Sequence, residues 1–135
     1  MGKVIEKVKL SNIFDGKKSI KVDAVIDTGA TLMTLPQNLV YELGLKKIRE
    51  ATVRYANNKR EKKYVYGAIA LEIKGRKGIF EVLAEAEGSQ PLVGQVVLEA
   101  LDFIVDPKTK TLMPNPLSPD MPMVELLSLR SLKEK

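Results

Sequence analysis

An apolar strand that runs straight into an acid, a hydroxyl residue and a glycine constrains this chain more than any other stretch: Val22-Asp23-Ala24-Val25-Ile26-Asp27-Thr28-Gly29-Ala30-Thr31. Ile20, Val22, Ala24 and Ile26 fall at every second position, so a strand over residues 19–26 has one apolar face. That strand delivers Asp27 to a turn. Gly29 lets the backbone fold sharply where a Cβ would clash, and Thr28 can brace the turn through its hydroxyl. Burial at the end of a strand disfavours the charged form of a carboxylate. An acid in this place is either a structural turn residue or a working group.

The rest of the chain reads as short strands between close turns. Residues 3–13 form an opening strand, and Asp15-Gly16 is a hairpin signal before the strand that leads to Asp27. Residues 31–34 continue the loop. A short helix follows over residues 35–45, with Pro36 at its first position, Gly44 just past its end, and Leu39, Val40 and Leu43 as its buried stripe. Residues 46–50 read as a charged connection and residues 51–56 as a strand. Asn57-Asn58 suits a turn, because Asn tolerates positive φ. Residues 61–74 return as a long strand in which Gly67 marks a bend or bulge. A turn at residues 75–78 precedes a strand at 79–86 and a loop at 87–91. Leu92-Val93-Gly94 is a short apolar strand, and Val97, Leu98 and Leu101 lie at helical spacing over residues 95–101. Residues 102–106 are extended, residues 107–110 turn, and residues 111–113 form a last strand. This pattern predicts a mainly β fold, a barrel or sandwich with two short helices. Residues 1–114 make one domain. Residues 115–135 read as a linker containing Pro116, Pro119 and Pro122, then an apolar tail at 123–132 that is assigned neither helix nor strand.

Composition removes whole classes of chemistry. The 135 residues contain no Cys and no His. Disulfides, thiolate metal sites, histidine-ligated metals and Ser-His or Cys-His hydrolysis are therefore excluded. Acid–base work falls on Asp, Glu, Lys or Tyr. No calcium-loop spacing occurs, and no metal or cofactor is expected. Apolar residues make up 44%, enough for one core without staples. No apolar run reaches the roughly 18 residues of a membrane span. The amino-terminal residues lack a signal-peptide core, and Glu6 stands where a myristoylation motif wants Ser or Thr. A soluble, cytoplasmic protein is expected. The net charge of +5 lies largely in runs such as Lys46-Lys47 and residues 60–63, which read as solvated surface or as a site for an acidic partner.

A weak internal repeat is visible. One half runs apolar strand, Asp27-Thr28-Gly29, loop, helix. The other runs strand 79–86, loop, Leu92-Val93-Gly94, helix 95–101. Together with Ala24-Val25-Ile26-Asp27-Thr28-Gly29-Ala30, Leu35-Pro36 and Gly75-Arg76-Lys77-Gly78-Ile79, the order resembles the retropepsin-like, single-domain aspartic proteases over residues 20–113. The resemblance implies a closed or partly open β-barrel of the acid-protease type. It implies a flap between Val53 and Gly67 with its tip near Ala56-Asn57-Asn58-Lys59. Retroviral members carry an Asp and an Arg where this chain has Thr31 and Gln95, a charge pair at their dimer interface. Both partners are missing together here, so no unpaired buried charge is left behind.

The resemblance also implies a mechanism that one Asp cannot perform. Two carboxylates must share one water, and this chain has a single Asp-Thr-Gly. Asp23 and Asp102 lack the Thr-Gly, and Asp106 is followed by Pro. A homodimer with Asp27 from each copy is expected, acting as an aspartic endopeptidase on peptides or unfolded protein. Asp27, Thr28 and Gly29 are the expected catalytic loop. Ala30, Leu32, Ala56, Asn57, Asn58, Leu92, Val93 and Gly94 are the expected substrate contacts, and the apolar tail is a candidate dimer contact. One alternative is a module of the same fold that binds peptides or dimerises without cutting. Another is a nucleic-acid binder, in which Arg54, Lys59, Arg60, Lys62 and Lys63 interleave with Tyr55, Tyr64 and Tyr66.

Overall fold

The computed structural model describes residues 3–127. Met1, Gly2 and the part of the apolar tail beyond residue 127 lie outside the described residues. The chain folds as β1 (Ile5–Asn12), β2 (Asp15–Ile26), β3 (Met33–Pro36), α1 (Gln37–Glu42), β4 (Lys46–Arg54), β5 (Arg60–Ile73), β6 (Arg76–Glu85), β7 (Leu92–Val93), α2 (Gln95–Leu101), β8 (Phe103–Asp106) and β9 (Thr111–Pro114). The fold is mainly β with two short helices, as the turn spacing predicts.

Seven strands pair in the order β1-β2-β7-β3-β6-β5-β4, and β1 also pairs with β5. That extra pairing bends the sheet into a ring of six strands, with β4 attached outside it. β5 serves two partners along one edge: residues 60–67 pair with β4, and residues 69–72 pair with β1. The change of partner falls at Gly67, where the register with β6 also shifts. Gly67 thus marks an irregularity at the handover between two strands. The ring encloses Leu10, Met33, Leu35, Ile69, Leu71 and Val82, all buried. β8 and β9 form a separate two-stranded ribbon.

Four local readings differ from the sequence expectation, each for a physical reason. Residues 33–36 are a strand, where loop is expected at 33–34 and helix from 35: all four are buried, and their backbone groups find partners on β6 and β7. Four residues are too few to show a period. Pro36 ends that strand with extended backbone, φ −64° and ψ 150°, so α1 starts one residue later, at Gln37. Residues 46–50 belong to β4. They are exposed at the edge of the sheet, which hides any apolar alternation. The first hairpin turns at Ile13 and Phe14 rather than at Asp15-Gly16, because the Asn12 side chain accepts the Phe14 N–H at 2.8 Å and closes the turn early.

Two buried polar side chains close the two helices. Asn12, at the tip of the β1–β2 hairpin, donates to the carbonyls of Leu43 (2.9 Å) and Gly44 (3.3 Å) at the end of α1. Gly44 itself takes φ 64°, the left-handed conformation expected of the residue past a helix end. Arg76, at the tip of the β5–β6 hairpin, donates to the carbonyls of Leu101 (2.8 Å) and Asp102 (3.1 Å) at the end of α2. It also donates to the Ser118 carbonyl and lies 5.4 Å from the centre of the Phe103 ring. A cation suits a helix carboxyl end, where unpaired carbonyls gather negative charge. Asp102 takes φ 59° there. Its carboxylate accepts from Ser118 Oγ, Asn115 Nδ2 and the Met123 N–H. Those bonds, with the Arg76 charge beyond them, hold the Asp102 carboxyl below the usual carboxylate range.

Arg76→Ala removes the donor of the Leu101 and Ser118 carbonyls, while the Asp102 carbonyl keeps the Asn115 N–H at 2.9 Å, and unfolding in urea is expected to show a loss of about 3 kcal/mol. Arg76→Lys recovers only part of it, since one ammonium cannot reproduce the planar fork. An unchanged midpoint for Arg76→Ala contradicts this role.

Candidate active site

β2 carries Asp27 out of the ring at its end, and β7 runs beside it in parallel, with Val25 opposite Leu92 and Ile26 opposite Val93. β3 leaves the Asp27 loop and runs parallel to β6, the strand that leads into the second loop. Each half of the internal repeat therefore lends its exit strand to the other half's entry strand. The crossing brings the two loops into backbone contact. The Asp27 N–H donates to the Val93 carbonyl at 3.0 Å, the Gln95 N–H to Ala30 at 2.7 Å, and the Val96 N–H to Thr31 at 3.0 Å.

Gly94 makes that crossing possible. A Cβ at this position would lie 2.5 Å from the Leu32 carbonyl oxygen and 2.7 Å from that of Ala30. Both are backbone atoms that cannot step aside. Gly29 is less confined: a Cβ there would meet Asp27 Oδ1 at 3.2 Å.

Asp27 is half-buried. Its Oδ1 accepts the Gly29 N–H at 2.9 Å, and the Asp27 carbonyl accepts the Ala30 N–H at 3.1 Å. The carboxylate is thus fixed by its own turn. Thr28 and Gly29 are exposed, and among the described residues the Thr28 hydroxyl has no hydrogen-bond partner. The bracing expected of Thr28 is not made among the described residues. Gln95 turns its side chain along its own helix, where Nε2 meets Glu99 Oε1 at 3.2 Å. The chain's other Asp residues weighed as partners are engaged elsewhere. Asp23 pairs with Lys7 at 3.3 Å. Asp102 sits in the α2 cap. Asp106 accepts the Lys108 N–H at 2.9 Å, which holds its carboxyl below the usual range.

Of the expected contact residues, Ala30, Leu32, Leu92, Val93 and Gly94 gather at the crossing. Ala30, Leu32 and Leu92 are half-buried, while Val93 and Gly94 are buried. Ala56, Asn57 and Asn58 lie at the exposed tip of the β4–β5 hairpin and make no hydrogen bond to the crossing among the described residues. The tip is closed by Tyr55 N–H to the Lys59 carbonyl (2.9 Å) and Asn58 N–H to the Tyr55 carbonyl (2.8 Å). Asn58 takes φ 69°. The sequence pattern anticipates that turn.

It does not reveal what holds the base of the tip. Tyr55 Oη donates to Glu85 Oε2 at 2.9 Å, and Lys63 Nζ lies 3.4 Å from the same carboxylate. The hairpin is thereby tied to the end of β6. Burial first, then the bond to Glu85 and the negative charges of Glu85 and Glu61, push the Tyr55 hydroxyl up to about 12. No local pattern links Tyr55 to Glu85, thirty residues away.

Two outcomes follow from this geometry. Gly94→Ala is expected to unfold at markedly lower urea than Gly29→Ala, by about 2 kcal/mol or more, because only the first collides with backbone. Equal midpoints contradict the crossing account. Tyr55 binds its proton more tightly folded than unfolded, so its share of stability is complete below pH 10 and is lost as pH rises towards 12. Absorbance titration of tyrosinate is expected to show one late-titrating tyrosine that moves earlier in Glu85→Gln.

The comparisons with known proteins agree with this geometry. A family model described as aspartyl protease matches residues 12–95. Among solved structures, the EIAV protease complexed with the inhibitor HBY-793 superposes with a TM-score of 0.55 at 15% identity, covering 73% of this chain and 86% of that one. No curated protein matches the chain. The structural likeness carries the fold, a retropepsin-like ring. The family match spans both β2 with its Asp-Thr-Gly turn and Leu92-Val93-Gly94, the two segments that cross, and by that match the chain belongs to the aspartyl protease family.

Proposed function

We propose that the protein is an aspartic endopeptidase that works as a homodimer, with Asp27 of each copy facing across the two-fold axis. One observation carries this reading. The Asp27 carboxylate is fixed by its own turn on a platform of crossed backbone, while Thr28 and Gly29 beside it stay exposed. Asp23, Asp102 and Asp106 are committed to other contacts. A second carboxylate therefore comes most simply from a second copy, by an isologous contact in which Thr28 reaches the partner loop. Ile5, 53% exposed opposite Val25, extends that face with apolar surface.

Two carboxylates about 3 Å apart share one proton, as in the aspartic-protease dyad that is the standard example. The ionised Asp27 takes a proton from the water, which attacks the peptide carbonyl carbon. The protonated Asp27 of the partner subunit polarises the carbonyl oxygen, and the proton passes to the amine as the C–N bond breaks. Ala30, Leu32 and Leu92 line the substrate strand from the crossing, and Val93 and Gly94, which are buried, support them from within rather than touching substrate. Ala56, Asn57 and Asn58 close over it from the hairpin, which acts as the flap. Residues 1–114 form the catalytic domain in this reading. A cytoplasmic location fits a fold that needs no disulfide.

Asp27→Asn is expected to lower cleavage of an unfolded protein by about a thousandfold or more across pH 3 to 8. The sedimentation of the dimer should be unchanged. Full activity in Asp27→Asn sinks the mechanism. Absence of cleavage by either protein, at concentrations where the dimer is present, favours a peptide-binding module of the same fold.

A further inference from the structure

The net positive charge of the protein lies in residues 46–63, β4 and the first part of β5. Residues 46–63 contain eight Lys and Arg against two Glu, a net of +6, whereas the full chain carries +5. Everything outside residues 46–63 therefore sums to −1. Some of these cations have local employment. Arg49 pairs with Glu81 at 2.9 Å, Lys63 pairs with Glu85 at 3.4 Å, and Lys47 lies 3.6 Å from the centre of the Tyr64 ring. Arg54, Arg60 and Lys62 are exposed and pair with no carboxylate among the described residues.

Those three share one face of the hairpin. Arg54 stands directly opposite Arg60, and Lys62 follows two residues on, opposite Thr52. Like charges directly opposed across a strand pair are destabilising. Protection of an edge strand explains cations on β4, but alternating signs would serve that purpose with less repulsion. It does not explain Arg60 and Lys62 on β5. The arrangement makes sense if a negative ligand neutralises it.

We infer that the hairpin selects acid-rich, extended polypeptides, with Arg54, Arg60 and Lys62 as the residues that read carboxylates flanking the cleaved bond. That these polypeptides are cleaved rests on the peptidase reading; that the hairpin binds them rests on its own charge. Side chains at alternate positions of a strand lie roughly 6.7 Å apart, so Arg60 and Lys62 match acids at alternate positions of an extended peptide. A nucleic acid suits the site less well. Single strands need open aromatic platforms. Here Tyr66 is buried, the Tyr55 hydroxyl is tied to Glu85, and Tyr64 has Lys47 over its ring.

The test is a binding measurement on the 135-residue chain carrying Asp27→Asn, so that no cleavage is needed. Three labelled probes are compared by fluorescence anisotropy: a short peptide with Glu at alternate positions, the same peptide with Gln in their place, and an oligothymidine of equal charge. The Glu peptide is expected to bind about tenfold more tightly than the Gln peptide at low salt, an advantage that shrinks as salt screens the exposed charges. The combined Arg54→Gln, Arg60→Gln, Lys62→Gln variant is expected to bind the two peptides alike. Equal binding by the starting protein, or an advantage untouched in the triple variant, overturns the proposal. Tighter binding of the oligothymidine than of the Glu peptide overturns it in favour of nucleic acid. Failure of the unmutated protein to cleave either peptide counts against the peptidase reading and leaves this result to stand or fall separately.

Discussion

The structure depends on two loops crossing at a distance that only a glycine allows. Val93 accepts from Asp27, and Ala30 and Thr31 accept from Gln95 and Val96, so the two halves of the chain are sewn together by backbone groups. Side-chain chemistry can drift around such a frame without disturbing it. Thr31 and Gln95 accordingly meet there through backbone groups, with no charged side chain at either position. The crossing also decides where Asp27 goes. Its strand pairs with β7, its exit strand pairs with β6, and the turn between them has no freedom to wander.

Two hairpin tips support the crossing from outside. Asn12 ends the first half by capping α1, and Arg76 ends the second by capping α2. One is a neutral amide and the other a buried cation, yet each satisfies helix carbonyls that would otherwise lack donors. The second cap is the larger construction. It recruits Ser118 and Asn115 from the proline-rich segment through Asp102, so residues 115–118 are held against the domain. The helices in turn cover the ring on which the loops cross.

The parts of this arrangement legible in the sequence are those written in local chemistry. Asp27-Thr28-Gly29 after an apolar strand, Gly44 past a helix, Asn57-Asn58 at a hairpin tip and Leu92-Val93-Gly94 before a helix each carry their reason within a few residues. What escaped depends on distant neighbours. β3 is a strand because β6 and β7 flank it, not because Met33-Thr34-Leu35-Pro36 has a period. Lys46 to Glu50 extend because β5 offers a ladder to a charged edge. Arg76 reads as a turn cation until α2 arrives above it, and Tyr55 reads as a surface aromatic until Glu85 meets its hydroxyl.

The central claim is that one active site is assembled from two chains. Mixing wild-type protein with Asp27→Asn at fixed total concentration, after exchange of subunits, tests it directly. A shared dyad predicts that activity follows the square of the wild-type fraction, so that an equal mixture retains roughly a quarter of full activity, because only wild-type pairs carry two competent carboxylates. Activity that falls in simple proportion, to roughly a half, would show that each chain works alone and would contradict the account.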